Sequence, residues 1–144
     1  MNDLIILGGG PAGYLAAERA ASAGVGVVLI EKDALGGVCL NEGCIPSKTL
    51  LYSAKIYENA KHGEAYGVHA SDISINHPEV IARKNKVVKV LTSGVAASLK
   101  SHGVRVVSGV GHIEGRDAGG DFKVSAGEKH FYRNVCLSRP VPSR

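Results

Sequence analysis

The first 31 residues constrain the fold of this chain more than any other stretch. Residues 4–7 and 25–30 are continuous apolar runs, as expected for strands that are buried on both faces. Between them lie a glycine-rich turn and an alanine-rich segment, residues 14–23, of high helix propensity, which Gly24 is suited to end. A strand, a helix and a second strand at this spacing predict a right-handed βαβ unit, and therefore an α/β fold with a parallel sheet.

The glycine-rich turn has the spacing G-x-G-x-x-G at Gly8, Gly10 and Gly13. The first glycine permits a tight turn, the second lets a pyrophosphate approach the backbone, and the third lets the helix pack closely on the strand. The helix N-terminus adds unpaired N–H groups and a partial positive charge. This context predicts a dinucleotide-binding site, and the alternative is a structural turn without a ligand.

Glu31 follows the second apolar run and can accept hydrogen bonds from ribose hydroxyls. Its carboxylate disfavours the 2′-phosphate of NADP because the two negative charges repel. The same carboxylate suits NAD and FAD equally. The motif by itself therefore leaves open whether the dinucleotide is FAD or a nicotinamide nucleotide.

Two of the three cysteines, Cys39 and Cys44, lie five positions apart. No other cysteine or histidine stands at metal-ligand spacing from them, so a redox pair is favoured over a metal site or two inert cysteines. On an ideal helix these positions point about 140° apart, and a disulfide there requires a change of backbone path. Gly43 and Pro46 allow such a change of backbone path, so either the helix begins near Pro46 or its first turns are distorted. A thiolate is favoured near a helix N-terminus, and Lys48 adds positive charge one turn after Cys44.

The remaining chain alternates between helical and strand-like patterns. The sequence predicts a helix running to about residue 61 and a turn-rich surface segment over residues 62–77. A long helix over residues 77–101 follows, with Pro78 in its first turn. Short strands are predicted at the end of the chain, over residues 104–107, 109–113, 122–125 and 131–137. We expect one domain over residues 1–144, with a small antiparallel β element beside the parallel sheet.

Composition excludes several functional classes. Tryptophan is absent and aromatic residues are few, so stacking on single-stranded nucleic acid is not expected. No apolar run approaches the roughly 20 residues of a membrane span, and no targeting segment precedes residue 4, so we expect a cytoplasmic protein or a mature organelle form. The net charge is only +4. Its densest cluster fits a solvated helix face, with phosphate or partner binding as the alternative, at Arg83, Lys84, Lys86 and Lys89.

The glycine turn, Glu31 and the run Gly-Gly-Val-Cys-Leu-Asn-Glu-Gly-Cys-Ile-Pro-Ser-Lys from Gly36 to Lys48 together resemble the pyridine nucleotide–disulfide oxidoreductases. Within that family the residues of this segment are most similar to those of the dihydrolipoamide dehydrogenases. Mercuric reductases are the nearer alternative, and glutathione reductases are less similar. The resemblance extends through Val135. It implies a Rossmann-like FAD-binding domain that is incomplete relative to the family.

The resemblance implies a set of cofactor contacts. Contacts with the FAD pyrophosphate fall on the glycine turn, at Gly8, Gly10, Pro11, Ala12 and Gly13. Glu31 would bind the adenosine ribose, with Lys32 beside the adenine end. A second segment would pass along the pyrophosphate and ribityl chain, at Gly36, Gly37 and Val38. Gly111 matches a backbone contact to the adenine, and Lys48 would lie near the flavin N5 and tune its electronics.

The resemblance also implies a catalytic pair. Cys44 would face the flavin and form the charge-transfer thiolate, and Cys39 would be the interchange thiol that reacts with the lipoyl disulfide. In the family, dihydrolipoamide reduces the disulfide, the dithiol reduces FAD, and FAD reduces NAD. The expected partners are lipoamide or a lipoyl-bearing protein and a second copy of the chain. Cys136 is expected to be a small apolar strand residue without a redox role.

Two departures from the family limit the expected activity. The chain contains no second G-x-G-x-x-G for NAD, and none of the C-terminal dimerisation domain with its His–Glu acid–base pair. After Leu137 the family's Ala-Thr-Gly turn is missing, and Ser138 leads directly into residues 139–144. We therefore expect little or no turnover by the isolated chain. The alternatives are a non-catalytic, truncated FAD-binding protein and a fragment of a mercuric or other disulfide reductase.

Overall fold

The structure is a computed structural model that describes residues 3–138. In chain order its elements are β1 (Asp3–Leu7), α1 (Pro11–Ser22), β2 (Gly26–Glu31), α2 (Gly37–Asn41), α3 (Cys44–Lys61), a 3-10 turn (Gly63–Tyr66), α4 (His77–Ser101), β3 (Arg105–Ser108), β4 (Gly111–Arg116), β5 (Phe122–Ala126), β6 (Lys129–Arg133) and β7 (Val135–Ser138). They form two compact units. Val38–Leu91 is the second unit, and the described residues up to Gly37 and from Thr92 onward are the first.

A four-stranded parallel sheet lies at the centre of the first unit. Its strand order is β3-β2-β1-β7, and β1 pairs with both β2 and β7. Residues on one face of the sheet pack with α1 and the end of α4 in a buried cluster that contains Leu4, Ile6, Ala17, Val27, Leu29 and Leu99. The predicted parallel sheet is therefore confirmed, and α1 covers it as the crossover helix between β1 and β2.

The other face of the parallel sheet carries a second buried cluster, which contains Ile5, Val28, Ile30, Val107, Val124, Ala126 and Phe131. The last three of these residues come from a three-stranded antiparallel sheet of order β4-β5-β6. Alternate residues of β1 thus face opposite layers, because successive side chains of a strand point to opposite sides. This arrangement explains why the first apolar run is continuous.

One predicted strand is two strands in the structure. Residues 131–137 were expected to form a single strand, but β6 ends at Arg133 and β7 begins at Val135. β6 pairs with β5 in the antiparallel sheet, and β7 pairs with β1 in the parallel sheet. The chain changes sheet at Asn134, and Phe131 before it and Cys136 after it both pack in the second buried cluster. The altered ending at residues 139–144 lies outside the described residues.

The second unit contains α3, the 3-10 turn and the first part of α4. The guanidinium of Arg83 donates to the backbone oxygen of Thr49 at 3.2 Å and lies over the ring of Tyr52 at 5.6 Å from its centroid. These contacts join α4 to α3, so Arg83 does more than cover a solvated surface. The long predicted helix over residues 77–101 is confirmed as α4, and the turn-rich segment before it contains the 3-10 turn.

The single helix predicted to run to about residue 61 is wrong in one respect. The structure has two helices, α2 and α3, separated by Glu42 and Gly43. Gly43 is the N-cap of α3, so the second helix begins at Cys44, two residues before Pro46. A distorted path between the two cysteines was expected, and the structure locates the break between them.

Candidate functional site

The glycine turn lies at the carboxyl end of β1, between that strand and α1. Gly8 has a φ of +104° and donates its N–H to the carbonyl of Ile30 at 2.8 Å. A Cβ at Gly13 would lie 1.8 Å from the carbonyl oxygen of Gly8, so no side chain fits there. These two contacts hold the start of α1 against the strand ends, where ligands of open α/β sheets bind.

The N-terminus of α1 is open to an anion. Gly10 is the N-cap, Pro11 is the first helical residue, and no side chain of the described residues caps this end. The next N–H groups, at Ala12 and Gly13, have no acceptor within the helix because they belong to its first turn. The predicted pyrophosphate residues therefore form one contiguous helix start, with the polarity that a phosphate requires.

A second glycine pair lies directly against this turn. The N–H of Gly36 donates to the carbonyl of Gly9 at 2.8 Å. A Cβ on Gly37 would lie 2.8 Å from the Cα of Gly10, so the two backbones touch. The sequence predicted both segments as pyrophosphate contacts without a reason for them to meet, and the structure brings Gly36 and Gly37 to the turn.

Glu31, the last residue of β2, is held by two backbone donors. One carboxylate oxygen accepts the N–H of Gly9 at 2.6 Å, and the other accepts the N–H of Asp33 at 2.8 Å. Each carboxylate oxygen has a second acceptor position, so ribose hydroxyls can still bind. Lys32 extends to Asp33, with 3.6 Å between the ammonium and the carboxylate, and both side chains are exposed.

Gly111 lies beside the same strand ends. It opens β4, and a Cβ there would lie 2.5 Å from a methyl carbon of Leu7 and 3.3 Å from one of Ile30. The N–H of Gly109 donates to the carbonyl of Glu31 at 2.9 Å, which ties this segment to the end of β2. The most remote predicted cofactor residue in the sequence is thus near Glu31 in space.

The residues at the strand ends of the first unit suit a dinucleotide in shape and charge. It combines an open helix N-terminus, two touching glycine segments that keep side chains out of the turn, and an oriented carboxylate at the end of the next strand. Gly9 and Asp33 were not predicted as site residues. Both residues act through their backbone N–H groups, and the signal in the sequence was that the middle residue of Gly8-Gly9-Gly10 is also a glycine.

The dithiol occupies the helix break of the second unit. Cys39 lies in α2 and is half-buried, whereas Cys44 is the first residue of α3 and is exposed. Both cysteines are present as thiols. The pKa of Cys39 is raised above its usual value, chiefly because its thiol forms a hydrogen bond with Cys44, and partial burial and the charge of Cys44 act in the same direction.

Lys48 acts on the same pair from the second turn of α3. Its positive charge opposes the rise in the pKa of Cys39, as does a backbone hydrogen bond at Cys44. The two predicted catalytic cysteines and Lys48 therefore interact with one another. Val38, predicted to follow the ribityl chain, belongs to the same unit and is 69% exposed.

The described residues outside the glycine turn and the dithiol include two grooves and a third cysteine. Two open grooves of about 680 and 450 Å³ lie in the second unit, and neither is lined by a cysteine. Within residues 3–138 no cluster of three or more histidine, cysteine or acidic residues could hold a metal ion. Cys136 lies in β7 beside the second buried cluster, and burial raises its pKa. No helix of the described chain is long and apolar enough to cross a bilayer.

A parallel α/β sheet with a glycine turn at its carboxyl edge, joined in one chain to a dithiol on a broken helix, defines a dinucleotide-binding domain with a redox-type cysteine pair. The family model described as pyridine nucleotide-disulphide oxidoreductase matches residues 2–133. The chain belongs to this family. The family consists of oxidoreductases that use FAD, with NAD as co-substrate, so the predicted family, fold class and cofactor are confirmed at that level.

Relatives and solved structures agree with the family assignment. A dihydrolipoyl dehydrogenase of Acholeplasma laidlawii is 48% identical over 137 residues, which cover 94% of this chain and 40% of the relative. One of Bacillus subtilis is 39% identical over 142 residues, which cover 96% and 30%. The crystal structure of LpdA from Mycobacterium tuberculosis superposes with a TM-score of 0.86 at 28% identity, over 99% of this chain and 34% of that one.

A second solved structure comes from another member. The HOCl-induced flavoprotein disulfide reductase RclA of Escherichia coli, as its Cu(II) complex, superposes with a TM-score of 0.74 at 25% identity. The superposition covers 96% of this chain and 29% of RclA. The present chain therefore spans only about a third of the length of the proteins it resembles.

Proposed function

We propose that this chain is the FAD-binding portion of a dihydrolipoamide dehydrogenase, a single domain whose dithiol passes electrons from dihydrolipoamide to FAD. The observation that carries the proposal is the pair Cys39 and Cys44, hydrogen-bonded to each other across a helix break. The same chain is up to 48% identical to proteins named dihydrolipoyl dehydrogenase. The lipoyl substrate is favoured over mercuric ion or another disulfide by those relatives.

We assign cofactor roles to the residues of the glycine turn and the segments near it. The pyrophosphate binds along the two glycine segments and the start of α1, at Gly8, Gly10, Pro11, Ala12, Gly13, Gly36 and Gly37. Glu31 holds the adenosine ribose, Lys32 lies near the adenine, and Gly111 offers it a backbone contact. Val38 follows the ribityl chain, and Lys48 stabilises negative charge near the flavin. When bound, FAD accepts the electron pair that the intact family passes on to NAD.

The Cys39–Cys44 pair exchanges its disulfide with the two thiols of dihydrolipoamide. In the oxidised state a dihydrolipoamide thiolate attacks the sulfur of Cys39, the disulfide breaks, and Cys44 leaves as a thiolate. The second lipoyl thiolate then attacks the lipoyl sulfur of the mixed disulfide, which forms lipoamide and expels Cys39. Cys39 takes up a proton, and the hydrogen bond with Cys44 that raises its pKa favours this uptake. Lys48 stabilises the negative charge that remains on the pair.

The same assignment suggests the partners, the oligomeric state and the location of the intact protein. We propose a lipoyl-bearing protein as partner, a homodimer of the intact protein, no nucleic-acid partner and a cytoplasmic location, where reduced thiols are maintained. This chain spans about a third of its relatives' length, and its sequence contains a single G-x-G-x-x-G. Lipoamide-dependent NADH formation by this chain alone is therefore expected to be absent or very slow.

Flavin uptake tests the cofactor assignment. The purified chain is incubated with excess FAD and desalted, and flavin per chain is measured from the visible absorption. We expect close to one FAD per chain. Glu31→Ala is expected to bind FAD about 10- to 100-fold more weakly, because a charged hydrogen bond to ribose is lost. Glu128→Ala is the control, since Glu128 lies at the exposed turn between β5 and β6 and has no assigned cofactor role. A wild-type chain that takes up no FAD would contradict the proposal.

Single-thiol variants test the roles of the two cysteines. Exposure alone favours reaction at Cys44, whereas the proposal assigns the mixed disulfide to Cys39. FAD-loaded Cys44→Ser and Cys39→Ser are each treated with lipoamide, and the mixed disulfides are located by peptide mass. The adduct should accumulate at Cys39 in Cys44→Ser and be scarce at Cys44 in Cys39→Ser. The reverse distribution would exclude the assignment.

Two alternatives, a non-catalytic FAD-binding protein and another disulfide reductase, make different predictions. A non-catalytic FAD-binding protein would take up FAD but show no reduction of its Cys39–Cys44 disulfide by dihydrolipoamide. A mercuric or other disulfide reductase is favoured only by the likeness to RclA. A substrate panel on a full-length relative, comparing lipoamide, glutathione disulfide and mercuric ion, would separate these reductases.

A further inference from the structure

Gly43 lies at the point where α2 ends and α3 begins. Its N–H donates to the carbonyl of Val38 at 2.6 Å, and the N–H of Glu42 donates to the same carbonyl at 2.9 Å. The carbonyl of Gly43 then accepts the N–H of Ser47 at 3.0 Å, which is the first hydrogen bond of α3. A single residue thus closes one helix and opens the next.

The backbone at Gly43 is also very close to the residue that carries the first thiol. A Cβ at this position would lie 3.1 Å from the carbonyl oxygen of Val38 and 3.6 Å from the Cα of Cys39. Both neighbouring atoms belong to the backbone, so no side-chain rotation can make room. The contact with the carbonyl of Val38 is the tight one, so a side chain at position 43 would require the start of α3 and the backbone that leads into Cys39 to separate by a few tenths of an ångström.

We propose that Gly43 is a positioning residue for the dithiol: its missing side chain lets the start of α3 approach α2 closely enough for Cys44 to form a disulfide with Cys39. The inference rests on the proposed redox role of the pair and adds a residue that sets its redox balance. Gly43 does not itself touch substrate or cofactor.

The two oxidation states depend differently on this approach. With glutathione disulfide as oxidant, the two thiols lose two protons and two electrons, one S–S bond forms between Cys39 and Cys44, and one glutathione disulfide becomes two glutathiones. A disulfide requires Cα atoms roughly 4.4–6.8 Å apart, whereas two thiols have no such requirement. A residue that holds the backbones together therefore stabilises the oxidised form selectively.

The test compares Gly43→Ala with the unchanged chain in glutathione redox buffers. The fraction of Cys39–Cys44 disulfide is measured by alkylation and mass at each buffer ratio. We expect the equilibrium constant for disulfide formation to fall about three- to tenfold, and a tenfold fall corresponds to a potential about 30 mV less negative. Gly94→Ala is the matched control, because a Cβ at Gly94 in α4 would meet no described atom within 4 Å.

A second readout separates positioning from general destabilisation. The pKa of Cys39, obtained from the pH dependence of its alkylation rate, should move down towards its ordinary value in Gly43→Ala, because the contact with Cys44 raises it. An unchanged redox equilibrium, an equal change in Gly94→Ala, or loss of the helical circular dichroism signal in Gly43→Ala would each overturn the inference. Neither readout requires FAD, so failed flavin uptake would count against the proposed function alone.

Discussion

At the scale of single residues, the two thiols of the dithiol are distinct. Cys39 is half-buried in α2, and Cys44 is exposed at the first position of α3. Their hydrogen bond raises the pKa of Cys39, and the charge of Lys48 opposes that rise. Substitutions of Cys44 and of Lys48 should therefore move the pKa of Cys39 in opposite directions.

Cys44→Ala should lower the pKa of Cys39, because the largest contribution that raises it is removed. Lys48→Gln should raise that pKa further, because the stabilising positive charge is lost. Both are measured from iodoacetamide alkylation of the Cys39 peptide as a function of pH. Alkylation of Cys136 in the same samples serves as the internal control, and a shift of both variants in one direction would contradict this description.

The glycines of the turn differ in what they tolerate. A Cβ at Gly13 would meet the backbone of Gly8 at 1.8 Å, whereas one at Gly10 would lie 3.9 Å from the Cα of Gly37, an ordinary contact. Gly13→Ala should therefore destabilise the fold by about 2 kcal/mol or more. Gly10→Ala should change stability by no more than about 1 kcal/mol and still reduce FAD uptake, because its methyl group occupies the pyrophosphate path.

Urea unfolding and flavin retention separate these two effects. The expected pattern is a large stability loss for Gly13→Ala and a selective binding loss for Gly10→Ala. If Gly10→Ala retained FAD as well as the unchanged chain, the pyrophosphate would not pass over this turn.

At the scale of elements, the patterns with strong physical constraints were predictable. Residues 4–6 and 27–30 are buried, so the apolar runs that contain them predicted β1 and β2 correctly. The long helix over 77–101 was predicted because Pro78 marks its first turn and apolar residues recur along it. The need for a break between the cysteines followed from helix geometry, with Gly43 and Pro46 as the candidates, and the backbone contacts of Gly43 with Val38 place the break at Gly43.

Other elements depended on tertiary context. The run over residues 129–137 is rich in strand formers, and only Asn134 marks the change from the antiparallel to the parallel sheet. Glu31 was predicted from the motif, but its backbone donors at Gly9 and Asp33 come from the way the strand ends and the loops pack. The cradle, by which we mean the glycine turn together with Gly36, Gly37 and Glu31, was thus predictable as a set of residues, whereas the contacts among those residues were not.

The antiparallel sheet carries a titratable cluster. Glu114 of β4 lies 2.7 Å from the ammonium of Lys123 and 3.8 Å from the ring nitrogen of His130. The pKa of Glu114 is lowered, chiefly by hydrogen bonds from Lys123 and Ser125. Since its folded-state pKa lies below its unfolded value, the stabilisation is present above the ordinary glutamate pKa and is lost as pH falls through the lowered pKa.

Glu114→Gln should therefore lower the melting temperature near neutral pH by roughly a few degrees at most, since the pair is partly exposed. The difference from the unchanged chain should disappear at a pH below the lowered pKa. Glu128→Gln, at the exposed turn between β5 and β6, is the control and should show no such pH-dependent difference. A difference that persists in acid would contradict the electrostatic explanation.

At the scale of the whole molecule, the chain combines a cofactor cradle with a dithiol and spans about a third of its relatives' length. The cradle lies in the first unit, and the dithiol lies in the second. The residues that we propose to bind FAD and those that we propose to exchange disulfides are therefore both present. Because the chain spans about a third of its relatives' length, the half-reaction from dithiol to flavin is the appropriate test.

The most direct measurement is the visible absorption spectrum of the FAD-loaded chain before and after anaerobic addition of dihydrolipoamide. We expect loss of the oxidised flavin band in the unchanged chain and its persistence in Cys44→Ser, which retains the cradle but cannot complete the dithiol. Persistence of the band in the unchanged chain, or equal loss in both proteins, would contradict the proposal that Cys39 and Cys44 deliver electrons to FAD.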